Sequence, residues 1–311
     1  MKVCFIGLGS IGTRHCGNLA ALCQEKSIPL TIHAVRSTKR PLREELRRLN
    51  IKLFQSFDEM DHDYDAIFVT NPTSLHYDTL MKVGDRARCF FIEKPVFESP
   101  DEDTAALPFH KDAICYVAAP LRYTAVLQAA PSVISTHKVY SVRAISSSYL
   151  PDWRPGTDYR KMYSAKKAQG GGVSIDLIHE WDYLTGLFGY PVEVRSLIGR
   201  YSHLEIDSDD LAVYIAAYQD KLIEVHLDYF GRETVRKMEL LTESGTFTFD
   251  IFHATISYPD GSQTVFHETA NDKYLAEMRY FLSLVFGKRS TSWNTIEHAA
   301  TVLRIAQGGV P

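Results

Sequence analysis

The chain has 311 residues, 45% of them apolar and 23% charged, with a formal net charge of −4. That length fits two compact domains rather than one. The negative balance supplies no basic field for a polyanion, and no apolar run reaches the ~20 residues of a membrane-spanning helix, so nucleic-acid and membrane roles are not expected. Met1 to Ile6 run straight into a glycine-rich turn, without the apolar core and cleavage site of a secretory leader, and the expected location is the cytoplasm. Cys4, Cys16, Cys23, Cys89 and Cys115 are odd in number and lack C-x-x-C spacing. They read as reduced thiols, and no metal is expected.

Over residues 1–119, short β-branched and aromatic runs (3–6, 31–36, 51–54, 66–70, 89–92 and 114–118) alternate with helical patterns at about 11–24, 41–49 and 75–83. This alternation predicts an α/β domain with a doubly wound parallel sheet of the Rossmann kind. Gly7-Leu8-Gly9-Ser10-Ile11-Gly12 follows the first strand and opens a helix, the context in which G-x-G-x-x-G reads as a dinucleotide fingerprint. Gly7 permits the tight turn, Gly9 lets the backbone approach a pyrophosphate, and Gly12 allows close packing. The free N–H groups at the helix start, around Ser10 and Ile11, face the phosphate charge. A plain connector turn is the alternative.

At the end of the second strand an NAD enzyme carries a carboxylate for the ribose 2′-hydroxyl; this chain has Arg36 there. The run Arg36-Ser37-Thr38-Lys39-Arg40 offers guanidinium, hydroxyl and ammonium donors to a 2′-phosphate, so NADP is expected ahead of NAD. Lys39 and Arg40 have a solvated loop as their alternative.

From residue 120 to 311 the pattern becomes that of a second domain. A long strand is predicted at 139–149, then a polar loop at 151–172 and one strong helix. Strands follow at 192–201, 211–218, 222–230, 235–241, 246–252 and 264–267, and helices at about 272–286 and 295–306. The turn signals Glu243-Ser244-Gly245 and Pro259-Asp260-Gly261 imply hairpins and a mainly antiparallel sheet. At 100° per residue Leu177, Trp181, Leu184 and Phe188 share one buried stripe. Asp176 and His179 fall off it, about 60° and one turn apart, and can point at one volume. Tyr183 stands where an H-E-x-x-H zinc motif would need its second histidine. Trp153, Arg154, Tyr159, Arg160, Tyr163 and Lys166 in the loop suit a polyhydroxylated or anionic ligand, or else an oligomer contact.

Taken in order, Gly7 to Gly12, Thr70-Asn71-Pro72-Thr73-Ser74-Leu75-His76, Glu93-Lys94-Pro95, and Gly170-Gly171-Gly172 leading into Asp176, His179 and Asp182 resemble the Gfo/Idh/MocA family of oxidoreductases over most of the chain. The resemblance implies a Rossmann domain followed by an α+β substrate domain with a large open sheet, whose face commonly makes a homodimer or homotetramer contact. It implies that Lys94, Asp176 and His179 occupy the family's catalytic positions. Asn71 and Pro72 would lie beside the ribose or nicotinamide, with Thr70, His76 and Glu93 on the cofactor side. Turn and cap roles are equally open for Asn71, Pro72 and His76. Many members step four residues from the aspartate to the histidine; here the step is three.

In chemical terms, His179 suits the hydroxyl proton, Asp176 would orient it or hold substrate, and Lys94 would bind the reacting oxygen. Lys94, Trp153, Arg154, Tyr163, Asp176 and His179 are thus the expected substrate-side residues. Each has a structural alternative: a first-turn charge for Asp176, a core imidazole for His179, a solvated ammonium for Lys94. The expected function is hydride transfer between NAD(P) and a hydroxyl or ketone of a sugar, nucleotide sugar or acidic sugar derivative. A biliverdin-type reductase and a non-catalytic NADP-binding sensor are the competing readings.

Overall fold

The computed structural model describes residues 1–38 and 41–310, so Lys39 and Arg40 of the expected phosphate-binding run lie outside the described residues. The chain forms two compact units, Met1–Pro120 with Asn271–Ala300, and Leu121–Ala270 with Thr301–Pro311.

The first unit is built on β1 (Lys2–Ile6), α1 (Ser10–Glu25), β2 (Thr31–Val35), β3 (Lys52–Phe54), β4 (Tyr64–Val69), α2 (His76–Val83), β5 (Ala87–Ile92) and β6 (Ile114–Val117). All strand pairs are parallel, in the order β3-β2-β1-β4-β5-β6. Near-continuous apolar runs such as Val3-Cys4-Phe5 and Ile67-Phe68-Val69 are fully buried, because helices cover both faces of a parallel sheet. The strand order reverses between β1 and β4, which places a ligand-binding crevice at their C-terminal ends. The helix expected at 41–49 forms only the 3₁₀ turn Glu44–Leu49. Leu46 alone is buried there, too small an apolar face to anchor a longer helix.

The second unit opens with α3 (Ala125–Thr136), a helix the sequence reading missed because Pro131 sits inside it. Then come β7 (Val139–Ser147), α4 (Val173–Asp176), α5 (His179–Phe188), β8 (Glu193–Gly199), β9 (Leu211–Ala217), β10 (Leu222–Asp228), β11 (Val235–Thr242), β12 (Gly245–Asp250), β13 (Thr255–Ser257) and β14 (Gln263–Val265). They make an eight-stranded sheet, β14-β13-β12-β11-β7-β10-β9-β8. It is antiparallel except where β7 lies parallel to β10. Strand alternation sends Val142, Ala144, Tyr214, Ala216, Val225 and Met238 inward, where they pack with Leu127, Trp181 and Leu184. Leu197, Ile215 and Leu222 stay exposed on the opposite face.

Two helices close the chain, α6 (Asp272–Val285) and α7 (Ile296–Ala306). Asn271–Ala300, expected within the second domain, packs with the first unit. The reason is aromatic: Phe281 of α6 meets the rings of Phe68 and Phe91 at 5.3 and 5.2 Å. Beside it the fully buried Glu277 accepts hydrogen bonds from the Tyr116 hydroxyl at 2.9 Å and the Ala119 amide at 2.7 Å. Among the described residues no helix is long and apolar enough to cross a membrane.

Candidate active site

A crevice of about 940 Å³ opens at the strand ends of the first unit, walled by Gly7, Leu8, Gly9, Arg36, Ser37, Thr38, Thr70, Asn71 and Pro72. Gly7 has φ +92°, which favours glycine. A Cβ on Gly12 would stand 2.6 Å from the Gly7 carbonyl oxygen and 2.7 Å from Thr70 Oγ1, so the α1 start can only sit this close to β4 without a side chain. Around Gly9, by contrast, a Cβ would meet nothing within 4 Å. The space over the helix start is open, as a pyrophosphate cradle requires. Ser10, Ile11 and Gly12 contribute as the first turn of α1. Arg36 is 9% exposed and no ion pair engages it among the described residues. Arg43, Lys82 and Arg86 also line this crevice against a single carboxylate, Asp58, a balance that fits a polyphosphate ligand.

Two residues expected at the cofactor are placed differently. His76 is fully buried, with its ring nitrogens on the Val96 and Asn71 carbonyl oxygens at 3.1 and 3.0 Å; it braces the Asn71 turn and is not part of the crevice wall. Glu93 turns to His15 of α1, Oε1 to Nε2 at 2.5 Å, a partner the sequence reading did not single out. This contact ties the end of β5, and with it the following Lys94, to α1. Lys94 is half-buried directly after β5, and its peptide bond to Pro95 is cis.

Burial works against a charged Glu93, but the His15 hydrogen bond and charge, with Lys94 beside it, outweigh burial and hold its carboxyl below the usual range. Burial also holds the His76 imidazole below its ordinary 6.5, against the pull of its carbonyl partners. Folded, both groups bind fewer protons than the unfolded chain does. The stability they contribute is therefore present above the ordinary values and lost on acidification, first below 6.5 for His76 and then below 4.5 for Glu93. We expect the melting temperature to fall from pH 7 to pH 4, with Glu93→Gln flattening the lower part of that fall. A midpoint flat across the range would remove this assignment.

The second unit carries the other half of the expected chemistry. Gly171 and Gly172 lead into α4 where side chains cannot fit. A Cβ on Gly171 would lie 2.1 Å from the Tyr163 carbonyl oxygen, and Gly172 has φ +143° against Asp209. Asp209 in turn accepts the Ser174 amide at 2.9 Å, fixing the start of α4. The single helix expected here is interrupted: Asp176 ends α4 and His179 begins α5. Across the interruption the Ile178 and Glu180 amides donate to carbonyls three residues back, the Ile175 and Leu177 oxygens. Such 3₁₀ tightening brings positions i and i+3 into line. Asp176 and His179 stand on either side of this interruption and face one cleft.

Both line a cleft of about 500 Å³ with Ser146, Ser148, Tyr149, Asp152, Trp153, Arg232 and Arg236. The Asp176 carboxylate accepts the Tyr163 hydroxyl on one oxygen and the Tyr229 hydroxyl on the other, each at 2.6 Å. Burial, and then the Asp176 charge, push both phenols up from their ordinary 10, so they remain donors at neutral pH. The Trp153 ring meets Tyr229 edge-on at 5.2 Å and its indole N–H donates to Ser148 Oγ at 3.0 Å.

The rest of the loop does other work. Arg154 and Lys166 are exposed and are not among the residues lining the Asp176–His179 cleft. Arg160 pairs with Asp158 and Glu205, and the Tyr159 hydroxyl accepts the Glu205 amide, so these two tie the loop to its neighbour. Asp182 is bound to Arg122 at 2.9 Å. Tyr229, Tyr149 and Arg232 were missed; the available signal was an aromatic-Phe-Gly-Arg run, Tyr229 to Arg232, just past the end of β10.

The family model described as the oxidoreductase family with an NAD-binding Rossmann fold matches residues 1–116. The chain is similar to scyllo-inositol 2-dehydrogenase (NAD(+)) of Bacillus subtilis, 23% identical over 92% of this chain and 86% of the relative. It is also similar to myo-inositol 2-dehydrogenase of Thermotoga maritima, 24% identical over 92% and 88%. Among solved structures, levoglucosan dehydrogenase in complex with NADH and levoglucosan superposes with a TM-score of 0.82 at 16% identity, covering 99% of this chain and 95% of that one. UDP-N-acetylglucosamine 3-dehydrogenase from Acidithiobacillus ferrooxidans gives 0.77 at 19% identity, with the same coverage.

Proposed function

We propose that the chain, whose residues 1–116 match the model of the Gfo/Idh/MocA oxidoreductase family, is a member of that family and oxidises a hydroxyl, or reduces a ketone, of a sugar-like substrate through Lys94, Asp176 and His179. The observation that carries this reading is the Asp176–His179 pair on one wall of a polar cleft, with the carboxylate fixed by two tyrosine hydroxyls. When bound, the nicotinamide accepts or gives the hydride. The backbone at Gly7 and Gly9 and the side chains of Ser37, Thr38, Thr70 and Asn71 would hold the dinucleotide. His179 takes the hydroxyl proton in one direction and returns it in the other. Lys94 hydrogen-bonds the reacting oxygen and stabilises alkoxide character. Asp176 fixes the substrate beside His179. The inositol and sugar dehydrogenases similar to this chain support a polyol or sugar, and the polar walls of the cleft do not suit an extended apolar tetrapyrrole. Exposed Leu197, Ile215 and Leu222 on the open sheet face support a homo-oligomer contact there.

The test is a nicotinamide absorbance assay over a panel of sugars and inositols. The reading fails if no substrate changes the cofactor and His179→Ala matches the wild type throughout.

We further propose NADP as the preferred cofactor. The B. subtilis relative is named for NAD(+), and what sets this chain toward NADP is Arg36 at the end of β2 with Ser37 and Thr38 beside it. A charge-assisted pair with a 2′-phosphate contributes about 1.5–3 kcal/mol, so Arg36→Ala should lower the NADP-to-NAD ratio of kcat/KM by about 10–100-fold. Equal or better use of NAD by the wild type would remove the assignment.

A further inference from the structure

We propose that the substrate of the Asp176–His179 cleft carries a second, anionic group, a carboxylate or a phosphate, and that Arg232 binds it. This rests on the dehydrogenase reading above and narrows it to acidic substrates. Two guanidiniums line the cleft. Arg236 is already engaged, its Nε 2.8 Å from the carboxylate of Glu180, which is 0% exposed, and 3.2 Å from Ser146 Oγ. Arg232 is not: among the described residues no carboxylate forms an ion pair with it. Its guanidinium carbon lies 3.7 Å from the centre of the Tyr149 ring, itself a cleft residue.

Stacking on an aromatic face fixes the plane of a guanidinium and leaves its N–H edges pointing sideways, the geometry that receives two oxygens of one anion. The cation is thus held in place before any ligand arrives, which lowers the entropy cost of binding. A neutral polyol would gain little from a preset guanidinium at this position, whereas a carboxylate or phosphate gains a charge-assisted, two-pronged contact; Asp152 and Asp176 also line the cleft, but neither forms an ion pair with Arg232 among the described residues. Ser148 on the same wall is occupied by the Trp153 indole. Arg232 is therefore the feature of this cleft that separates charged from neutral sugars.

The experiment is calorimetric titration of the NADP-loaded protein with matched sets: D-glucose, D-glucuronate and D-glucose 6-phosphate, and the galactose and mannose equivalents. At least one acid or phosphate should bind about ten-fold or more tightly than its neutral partner. Arg232→Gln and Tyr149→Leu should bring the ratio of acid to neutral-sugar affinity down to about one, whatever each does to the neutral sugar itself, and Arg232→Lys should keep part of the ratio. Which arm gains distinguishes carboxylate from phosphate. Absence of any anionic advantage, or an advantage that survives Arg232→Gln, overturns the proposal. An intact advantage with no cofactor turnover in any set would instead sink the dehydrogenase reading and leave the anion site standing.

Discussion

His179→Ala should slow turnover by about 10²–10⁴-fold, the usual worth of a positioned acid–base group, while leaving dinucleotide affinity unchanged. The split follows from placement. His179 lines the Asp176 cleft of the second unit, and none of the residues walling the glycine-turn crevice belongs to that unit. Lys94→Ala should also depress kcat, through the loss of the donor to the reacting oxygen. Tyr229→Phe should act more gently: it removes one of two hydroxyls on Asp176 and leaves the Trp153 contact in place. Measured kcat together with NADP affinity by fluorescence decides the matter. A His179→Ala enzyme with full kcat, or one that has lost its dinucleotide, would contradict the assigned role.

Gly9→Val and Gly12→Val, three residues apart, should fail in opposite ways. Gly9 has φ −69° and ψ −161°, open to any residue, and a side chain there enters space free of protein atoms. The variant should fold with stability within about 0.5 kcal/mol of the wild type, yet lose dinucleotide affinity by about 10²-fold or more, because the new side chain keeps phosphate from the backbone donors. Gly12→Val instead drives a branched side chain into the Gly7 carbonyl and Thr70. Overpacking of that kind costs about 1–3 kcal/mol before any ligand is considered. Thermal melts and NADP titrations of both proteins form the check. Normal binding by Gly9→Val would mean that the cradle lies elsewhere.

The order of the Rossmann elements was legible because apolar runs and a glycine turn are local signals. Less so were the regions where distant residues decide the outcome. The 41–49 stretch looks helical yet buries one apolar residue, and α3 was hidden by Pro131, whose position is tolerated through the packing of Val126, Leu127 and Ala130. His76 and Glu93 sit in motifs that suggest ligand contact. Their real partners, the Val96 carbonyl and His15, lie 20 and 78 residues away.

The α4–α5 segment shows the same limit. Its Asp176 and His179 could be named from the sequence, but the 3₁₀ step between them, and the grip of Tyr163 and Tyr229 on the carboxylate, depend on a loop and a strand end 13 and 53 residues distant.

By itself the sequence determined what short-range sterics and periodicity dictate: the glycine turn, the parallel strands, the burial of Leu177, Trp181 and Leu184 but not the half-buried Phe188 of the same expected stripe, and Arg36 at the end of β2. Only the tertiary structure decided that Asn271–Ala300 belongs with the first unit, that Arg236 is paired with Glu180, and that Arg232 lies over the Tyr149 ring. The physical reason is that charge pairing and ring contacts depend on distance in space, and the residues that set them are far apart along the chain, as Tyr149 and Arg232, or Phe68 and Phe281, are.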